Sequence, residues 1–306
     1  MTKAIMLFSG GLDSTLAIKM MQEMGIELFA LTFASPFCRC AGTGCGKKAA
    51  QLAREFKVPY QVVPLLDEYV EMIKKPKYGY GSGMNPCIDC RIMMFKKAAE
   101  KMKELEADFI VTGEVLGQRP MSQNMQAIRT IDRESGLKGY VLRPLSAQHF
   151  PPTLPEETGM IDRKALLDIR GRSRKKQIKL ITEKYNFDDY ACPAGGCLLT
   201  DKEFSQRLRD LKEADMLNLR NARLLMFGRF FPLTKNYKLI VGRNEKENNV
   251  LKSLSAAGDY IFEPQDGKGP TAIGVGVARE EELEESRRIV KRYCKYGPAI
   301  KSMRIE

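Results

Sequence analysis

The beginning of the chain alternates a buried strand, a turn and a helix, in the order that builds a parallel sheet. Ala4–Phe8 is a continuous apolar run, as expected for a strand that is buried on both faces. Apolar residues then recur every four positions from Leu12 to Met24, which predicts a helix closed by Gly25. Leu28–Phe33 has the composition of a second strand. Because two strands joined by a helix run parallel, this segment constrains the fold more than any other feature of the sequence.

The same alternation continues to residue 112. Helices are predicted over Cys45–Phe56 and Cys87–Glu106, and strands over Tyr60–Leu65 and Asp108–Thr112. The sequence therefore predicts an α/β fold with a doubly wound parallel sheet. In such sheets the ligands bind in the loops that follow the carboxyl ends of the strands, so the functional motifs are expected there.

A second, smaller domain follows a proline-rich connector that begins near residue 144. We expect one domain over residues 1–200 and a basic α+β domain over residues 201–306. The elements predicted in the second domain are a strand, a helix, a short strand and a last helix: Lys238–Val241, Asn244–Ala257, Tyr260–Phe262 and Arg279–Tyr293.

Composition limits the chemistry that is available to the chain. It has one histidine, His149, and eight cysteines, so metal sites built on two or more histidines are excluded. Unusual chemistry must therefore rest on cysteine. The net charge of +12 favours a polyanionic partner such as a nucleic acid. We expect a cytoplasmic protein without membrane association, in which thiols stay reduced, because no signal peptide or apolar run of membrane-spanning length occurs.

The first strand leads directly into the loop Ser9–Ser14, of sequence Ser-Gly-Gly-Leu-Asp-Ser, which opens the first helix. Two adjacent glycines allow a sharp turn and bring backbone N–H groups close to a phosphate. The hydroxyl groups of Ser9 and Ser14 add donors, and the start of a helix favours negative charge. Asp13 repels a phosphate unless Mg²⁺ bridges the two.

This loop resembles the signature of the PP-loop ATP pyrophosphatases. The resemblance implies ATP and Mg²⁺ as cofactors, a loop that grips the leaving pyrophosphate, and a catalytic role for Asp13. Members of that family adenylate a substrate oxygen, and a nucleophile then displaces AMP.

A second segment, Thr112–Gln118 with Ser122 and Gln123, is similar to the corresponding segment of the tRNA 4-thiouridine synthetases of the ThiI type. Its glycine, Gly113, is expected to permit close approach to the nucleotide, and the glutamines to bond a base or ribose. The nucleotide-binding residues implied in this way are Ser9, Gly10, Gly11, Leu12, Asp13, Ser14, Thr32, Gly113 and Gln118.

Cys87 and Cys90 form a C-x-x-C motif at the start of a predicted helix. This spacing places both sulfurs on one helical turn, where the helix end favours thiolates. A redox pair, half of a zinc site and half of an iron–sulfur site all fit the motif.

Cys197, in a glycine-flanked segment, is the best candidate for a third ligand, with Cys192 as a substitute. One C-x-x-C plus a distant cysteine resembles the iron–sulfur-dependent tRNA thiolases, which implies a [4Fe-4S] cluster on Cys87, Cys90 and Cys197 with one iron open to sulfide. The competing interpretation pairs a nucleophilic cysteine with a persulfide cysteine, without a cluster.

The remaining cysteines are open to more than one interpretation. Cys38, Cys40 and Cys45 form C-x-C-x₄-C after the second strand, either as a second metal site or as three ordinary thiols. Cys294 is expected to be structural.

A basic segment from Arg163 to Lys184 carries nine cations. It is either a solvated helix face or a track for RNA phosphates. The contacts predicted for RNA are Arg170, Arg172, Arg174, Lys175 and Lys176. Residues 200–306 resemble the NFACT-R module, which is associated with RNA binding. Because the nucleotide loop begins at residue 9 and neither a THUMP nor a rhodanese domain is recognised, we expect RNA docking and sulfur delivery to differ from those of full-length ThiI.

These resemblances imply an ATP-dependent tRNA uridine thiolase, with Asp13, Cys87 and Cys197 as catalytic residues. The partners would be a tRNA and a sulfur donor, either sulfide or a carrier, and a homodimer is one option. Two alternatives remain open: an ammonia-dependent ligase of the same superfamily, which does not need the cysteines, and a non-catalytic RNA-binding factor.

Overall fold

The computed structural model describes residues 2–38, 45–191, 196–265 and 269–306, with the side chain of Cys45 outside the description. Contacts within the chain divide it into two units, Met1–Leu198 and Leu199–Glu306. Each unit has a five-stranded sheet of its own.

The first unit alternates strands and helices. Its strands are β1 (Lys3–Leu7), β2 (Glu27–Ala34), β3 (Tyr60–Pro64), β4 (Phe109–Thr112) and β5 (Val141–Leu142). Its helices are α1 (Leu12–Glu23), α2 (Cys45–Glu55), α3 (Asp67–Lys74), α4 (Cys87–Glu104), α5 (Met125–Glu134), α6 (Leu154–Glu157) and α7 (Lys175–Lys179), which continues as a π-helical turn over Leu180–Lys184.

All five strands are parallel, in the order β3-β2-β1-β4-β5. The chain runs from β1 outward to β3 and then returns to β4 on the other side of β1. The carboxyl ends of β1 and β4 therefore flank the point where the strand order reverses, which is where open α/β sheets form their ligand crevice.

Side chains of β1 alternate between two cores, one on each face of the sheet. Ala4 and Met6 pack in the cluster that contains α1 and α2, whereas Ile5 and Leu7 pack in the cluster that contains α4 and α5. Helices on both faces explain why β1 is apolar at every position from Ala4 to Leu7. The predicted doubly wound α/β fold is confirmed.

The second unit is an antiparallel sheet with helices. Its strands are β6 (Arg229–Thr234), β7 (Tyr237–Val241), β8 (Tyr260–Pro264), β9 (Ala272–Gly276) and β10 (Ile300–Arg304), in the order β10-β8-β9-β7-β6. Its helices are α8 (Lys202–Glu213), α9 (Leu219–Leu224), α10 (Glu245–Leu254) and α11 (Glu280–Arg292). The predicted α+β character of this region is confirmed.

Three strands of this sheet were not predicted, because their sequences depart from common strand composition. β6 contains a proline, β10 is a charged edge strand, and β9 contains two glycines. Gly274 of β9 leaves the space that the buried ring of Tyr237 occupies. Tertiary packing therefore overrides the low strand propensity of glycine.

Within the described ranges, no helix combines the length and the apolar character that a membrane crossing requires.

Candidate nucleotide and thiol site

The loop between β1 and α1 requires glycine at its first glycine position only. Gly10 has φ +72°, and a Cβ there would lie 3.1 Å from the backbone of Ala49 in α2. Gly11 has φ −80° and is the N-cap of α1, a conformation open to other residues. Gly10 is thus needed because its backbone is left-handed and because it packs closely against α2.

Hydroxyl groups hold the loop in shape. The Ser9 Oγ and Ser14 Oγ atoms lie 3.1 Å apart, and Ser14 Oγ donates to the Gly11 carbonyl at 3.0 Å. Thr32, on the neighbouring β2, donates to the carbonyl of Phe8 at 2.8 Å. Leu12 is buried in the core and anchors the start of α1. Thr32 and Leu12 therefore act on the backbone that presents the loop.

Gly113 follows β4 and touches the same loop. A Cβ at this position would lie 2.6 Å from the backbone carbon of Asp13 and the backbone nitrogen of Ser14. The close approach at Gly113 is therefore to the loop itself. A side chain at this position would displace the loop from the end of β1.

Asp13 has one carboxylate oxygen in use and one without a partner. Gln118 Nε2 donates to Oδ2 at 3.0 Å, whereas Oδ1 is buried and has no hydrogen-bond partner among the described residues. Burial raises the pKa of Asp13 above its usual value, although Gln118, Arg174 and Gln177 act in the opposite direction. An unpartnered carboxylate oxygen at the mouth of a phosphate-type loop fits a hydrated Mg²⁺ ion.

A buried ion network connects this crevice to the C-x-x-C helix. Glu114, next to Gly113, accepts hydrogen bonds from Arg91 at 2.6 Å and from Arg143 at 3.1 Å. Arg143 also forms a two-pronged contact with Asp132 of α5. Burial alone would raise the pKa of Glu114, but the two guanidinium groups outweigh it and hold this pKa below its usual value. Sequence reasoning noted Glu114 only as part of a motif and missed both arginines.

The predicted thiols converge around one residue that sequence reasoning missed. Cys87 and Cys90 stand at the start of α4, as predicted, and the Tyr69 hydroxyl on α3 donates to Cys90 Sγ at 3.4 Å. The electrostatic influence of both Cys90 and Cys197 reaches Tyr69, and Cys87 influences Cys90. The structure therefore brings Cys87, Cys90 and Cys197 into one neighbourhood.

Cys38 belongs to this neighbourhood through its pairing with Cys197. The two residues form an isolated antiparallel bridge, and the Leu198 amide donates to the Phe37 carbonyl at 2.8 Å. That bond joins the residues flanking the pair, so Cys38 and Cys197 occupy a non-hydrogen-bonded position, where Cα atoms are typically about 4.5 Å apart. Cys40, Cys192 and the side chain of Cys45 lie outside the described residues.

The expected thiolate character does not hold for Cys90. Burial raises the pKa of this thiol to about 11, although the Tyr69 hydrogen bond and Arg91 act to lower it. Desolvation therefore outweighs the effect of the helix start. Among the described residues, no three Cys, His, Asp or Glu side chains form a ready-made metal-binding group. The donors are of the type that holds iron–sulfur clusters, but they are not preformed as a ligand set.

The thiols and the nucleotide loop are connected by backbone pairing. Ala191 pairs with Gly11, and its amide donates to the Gly10 carbonyl at 2.8 Å. Cys197 follows six residues later and pairs with Cys38. The segment that leads to Cys197 therefore begins at the nucleotide loop.

The basic segment docks beside the same loop region. The Gly171 amide donates to the Leu116 carbonyl at 2.7 Å, which fixes Arg170 next to the segment that carries Gln118. Arg170 and Lys176 are exposed and line a cleft of about 420 Å³ together with His149, Asp168, Ile169 and Ser173. Arg172 and Lys175 are also exposed. Arg174 differs, because it is half-buried and acts on the charge of Asp13.

Comparison with protein families finds a match in part of each unit of the chain. The model described as "Thiamine biosynthesis protein (ThiI)" matches residues 1–149. The match spans slightly less than half of the chain, so residues 1–149 are similar to the ThiI family. The model described as "NFACT protein RNA binding domain" matches residues 228–306. Both expected resemblances are confirmed. The region that the ThiI model matches contains the nucleotide loop, Gly113, Gln118 and the C-x-x-C motif, whereas Cys197 and the basic segment follow it.

Curated relatives are tRNA-specific 2-thiouridylases named MnmA. The protein of Symbiobacterium thermophilum is 23% identical over 228 residues, which cover 68% of this chain and 55% of that protein. The protein of Trichlorobacter lovleyi is 28% identical over 157 residues, which cover 49% of this chain and 44% of that protein. The chain thus spans about half the length of these relatives. A solved 4-thiouridine synthetase–RNA complex with bound ATP is 23% identical with a TM-score of 0.39, covering 70% of this chain and 53% of that one.

Proposed function

We propose that this protein is an ATP-dependent tRNA uridine thiolase. The observation that carries the proposal is the backbone pairing of Gly11 with Ala191, because it links an ATP pyrophosphatase-type loop to the segment that ends at the clustered thiols. The match of residues 1–149 to ThiI and the 2-thiouridylase relatives support the same activity.

In the first proposed step, the loop Ser9–Ser14 binds the pyrophosphate end of ATP. Asp13 would hold a Mg²⁺ ion, which would neutralise negative charge on the phosphates. The uridine carbonyl oxygen attacks the α-phosphorus, and the bond from that phosphorus to pyrophosphate breaks. The product is an adenylated uridine, activated because AMP is a far better leaving group than oxide.

In the second proposed step, sulfur attacks the adenylated ring carbon and the bond to the AMP oxygen breaks. With sulfide as the donor the exchange is a substitution without net redox change. The thiol neighbourhood of Cys87, Cys90 and Cys197 is where the sulfur would be held. Tyr69 stays neutral there, since burial keeps its pKa well above the usual value, so it donates a hydrogen bond to a sulfur atom.

A [4Fe-4S] cluster on Cys87, Cys90 and Cys197 would supply an open iron that binds exogenous sulfide. The persulfide route is favoured by a different observation, the pairing of Cys38 with Cys197. In this route Cys197 would receive its outer sulfur from a persulfide carrier. Attack of that sulfur on the adenylated carbon would release AMP and leave the product joined to Cys197 by an S–S bond, and Cys38 would release the product by forming a disulfide with Cys197.

A reconstituted reaction tests the activity. Purified protein is mixed with unmodified tRNA, Mg-ATP and either sulfide or a persulfide donor, and thionucleosides are measured by mass spectrometry together with released pyrophosphate. We expect Asp13→Asn to abolish both products, and Cys87→Ala to abolish the thionucleoside while pyrophosphate release continues. Cys294→Ala is the matched control, because this thiol lies in the second unit.

The outcomes also separate the alternatives. Normal thionucleoside formation by Cys87→Ala and Cys90→Ala would exclude a role for these thiols, and product formation with ammonia would indicate a ligase. Absence of pyrophosphate release with every tRNA would support a non-catalytic RNA-binding factor. Iron and sulfide analysis after anaerobic purification decides between cluster and persulfide.

RNA binding is assigned to exposed cations in the first unit and to the NFACT-type region. Arg170 and Lys176 line one cleft, so a phosphate bound there would contact two cations. We expect R170A with K176A to weaken tRNA binding and to lower the slope of log affinity against log salt by about 2. K103A, at an exposed position near the end of α4, should change neither quantity.

A further inference from the structure

Gln177 is a completely buried carboxamide whose polar atoms are unused. It lies in α7, which packs against α1, and its exposed fraction is 0%. Neither its Oε1 nor its Nε2 atom has a hydrogen-bond partner among the described residues. Buried carboxamides almost always have partners, since an unpaired one costs stability. A pair of unused groups in one side chain therefore indicates something that binds there.

The surroundings of Gln177 point to the nucleotide loop. Gln177 acts on Asp13 as a side-chain hydrogen-bond donor, which favours the ionised form of that carboxyl. Neither the carboxamide atoms of Gln177 nor the buried Oδ1 atom of Asp13 makes a contact of regular hydrogen-bond geometry among the described residues. Arg174, three residues earlier on the same face of the segment, acts on Asp13 as well. Lys175 and Lys176 are exposed on the other side. One face of this basic segment thus belongs to the nucleotide site and the other to solvent.

The unused atoms specify the chemistry of the ligand. Because Gln177 Nε2 and Asp13 Oδ1 can satisfy each other, the atom that still needs a partner is Gln177 Oε1, which requires a donor. A bare polyphosphate supplies acceptors only. A hydrated Mg²⁺ ion supplies donors through its water molecules, because magnesium retains several of them when bound. At a phosphate-type loop, the magnesium-chelated form of a polyphosphate therefore supplies the donor that the bare form lacks.

We infer that Gln177 is a binding residue of the nucleotide site that recognises the magnesium-chelated polyphosphate of ATP. The inference rests on the proposed function for the identity of the nucleotide, and it adds a residue from outside the region that the ThiI model matches. It also separates the basic segment into an inner, nucleotide-directed face with Arg174 and Gln177 and an outer, RNA-directed face.

The test is Gln177→Met, which keeps the size of the side chain and removes both polar atoms. Binding of ATP to the protein alone is measured by titration calorimetry, once with Mg²⁺ and once with EDTA, and the Tm is measured without ligand. We expect the Kd for Mg-ATP to rise about tenfold, the Kd for ATP in EDTA to change less than twofold, and the Tm to stay the same or rise.

The matched control is Gln22→Met, at the opposite end of α1, where Gln22 Nε2 donates to the Phe56 carbonyl at 2.8 Å. Here the Tm should fall and the Kd for Mg-ATP should not change. The inference is overturned if Gln177→Met leaves the Mg-ATP Kd unchanged, or raises both Kd values equally. It is also overturned if this variant lowers the Tm as much as the control or fails to fold, because the carboxamide would then have a structural partner.

The readout is independent of the proposed thiolation, since neither tRNA nor a sulfur donor is present. A protein that forms no thionucleoside but shows the expected binding pattern would refute the proposed function and support the role of Gln177. A protein that forms thionucleosides but whose Gln177→Met variant binds Mg-ATP normally would support the proposed function and refute the role of Gln177.

Discussion

Cys38 and Cys197 face each other across two antiparallel segments, 159 residues apart in the sequence. The hydrogen bond from the Leu198 amide to the Phe37 carbonyl makes them a non-hydrogen-bonded pair. The typical Cα separation in such pairs, about 4.5 Å, lies at the short end of the range that disulfides span.

We therefore expect a mild oxidant such as diamide to join Cys38 to Cys197 in metal-free protein. Peptide mapping under non-reducing conditions should find this disulfide, and Cys38→Ser should abolish it. Cys294 should remain a thiol, since it lies in the second unit. A Cys87–Cys90 disulfide as the main product would contradict the prediction.

Replacement of Gly113 by alanine should disrupt the nucleotide loop. The new Cβ would lie 2.6 Å from the backbone of Asp13 and Ser14, and backbone cannot yield as a flexible side chain can. We expect the free energy of unfolding to fall by about 2 kcal/mol and the Kd for Mg-ATP to rise more than tenfold. Urea denaturation and calorimetry measure the two effects.

The control for this change is Gly46→Ala in α2, where a Cβ meets no atom of the residues that the structure describes within 4 Å. Alanine favours a helix over glycine by roughly 1 kcal/mol, so this variant should be at least as stable as the parent protein. If both variants had the same free energy of unfolding and the same Kd for Mg-ATP, the contact at Gly113 would not constrain the loop.

Glu114→Gln should be strongly destabilising at neutral pH. The carboxylate lies between Arg91 and Arg143. Its loss removes the ion-pair partner of Arg91 and leaves two guanidinium groups with the Asp132 carboxylate alone, which costs about 3–5 kcal/mol. Glu71→Gln, which breaks an exposed pair with Lys74, should cost less than about 1 kcal/mol. Urea denaturation of the variants at pH 7 measures both.

The effect of Glu114 should also depend on pH. Because the folded pKa lies below the usual value of 4.5, its stabilising contribution is fully present above that pH and is lost as the pH falls through the folded pKa. The difference in unfolding free energy between the parent protein and Glu114→Gln should therefore be constant from pH 7 to about 5 and shrink below 4.5. A constant difference at pH 3 would contradict the lowered pKa.

Tyr69→Phe should make Cys90 less reactive in metal-free protein. Burial raises the pKa of Cys90 to about 11, and the Tyr69 hydrogen bond opposes that rise. Without the hydroxyl group we expect the pKa to increase further and alkylation by iodoacetamide at pH 8 to slow down. Mass spectrometry of individual cysteine peptides gives the rates, with Cys294 as the internal reference. If the Cys90 thiol of the parent protein were half-ionised near pH 8, the effect of burial on its pKa would be refuted.

The sequence by itself determined the architecture of the first unit and the chemistry present in it. Continuous apolar strands separated by helices of period 3.6 have few solutions other than a parallel sheet covered on both faces. The order of β1, loop and α1 followed from Ala4–Phe8 and Ser9–Ser14, since these signals are local in sequence. Both family resemblances were likewise carried by short motifs.

Local signals were weaker in the second unit. β9 contains Gly274 because a tyrosine ring fills the space beside it, and no local pattern reports such a contact. β10 is a charged edge strand whose register with β8 comes from pairing across the sheet. Both strands form because tertiary packing outweighs their intrinsic propensities.

Only the tertiary structure decided how the candidate site is assembled. The pairing of Cys38 with Cys197, the contact of Tyr69 with Cys90 and the burial of Gln177 beside Asp13 all join segments far apart in the chain. Burial and residue pairing arise only when the chain is folded. They reversed one expectation from the sequence, because desolvation at Cys90 outweighs the effect of the helix start, which favours a thiolate. The sequence supplied the reactive groups, and chain packing determined which of them meet.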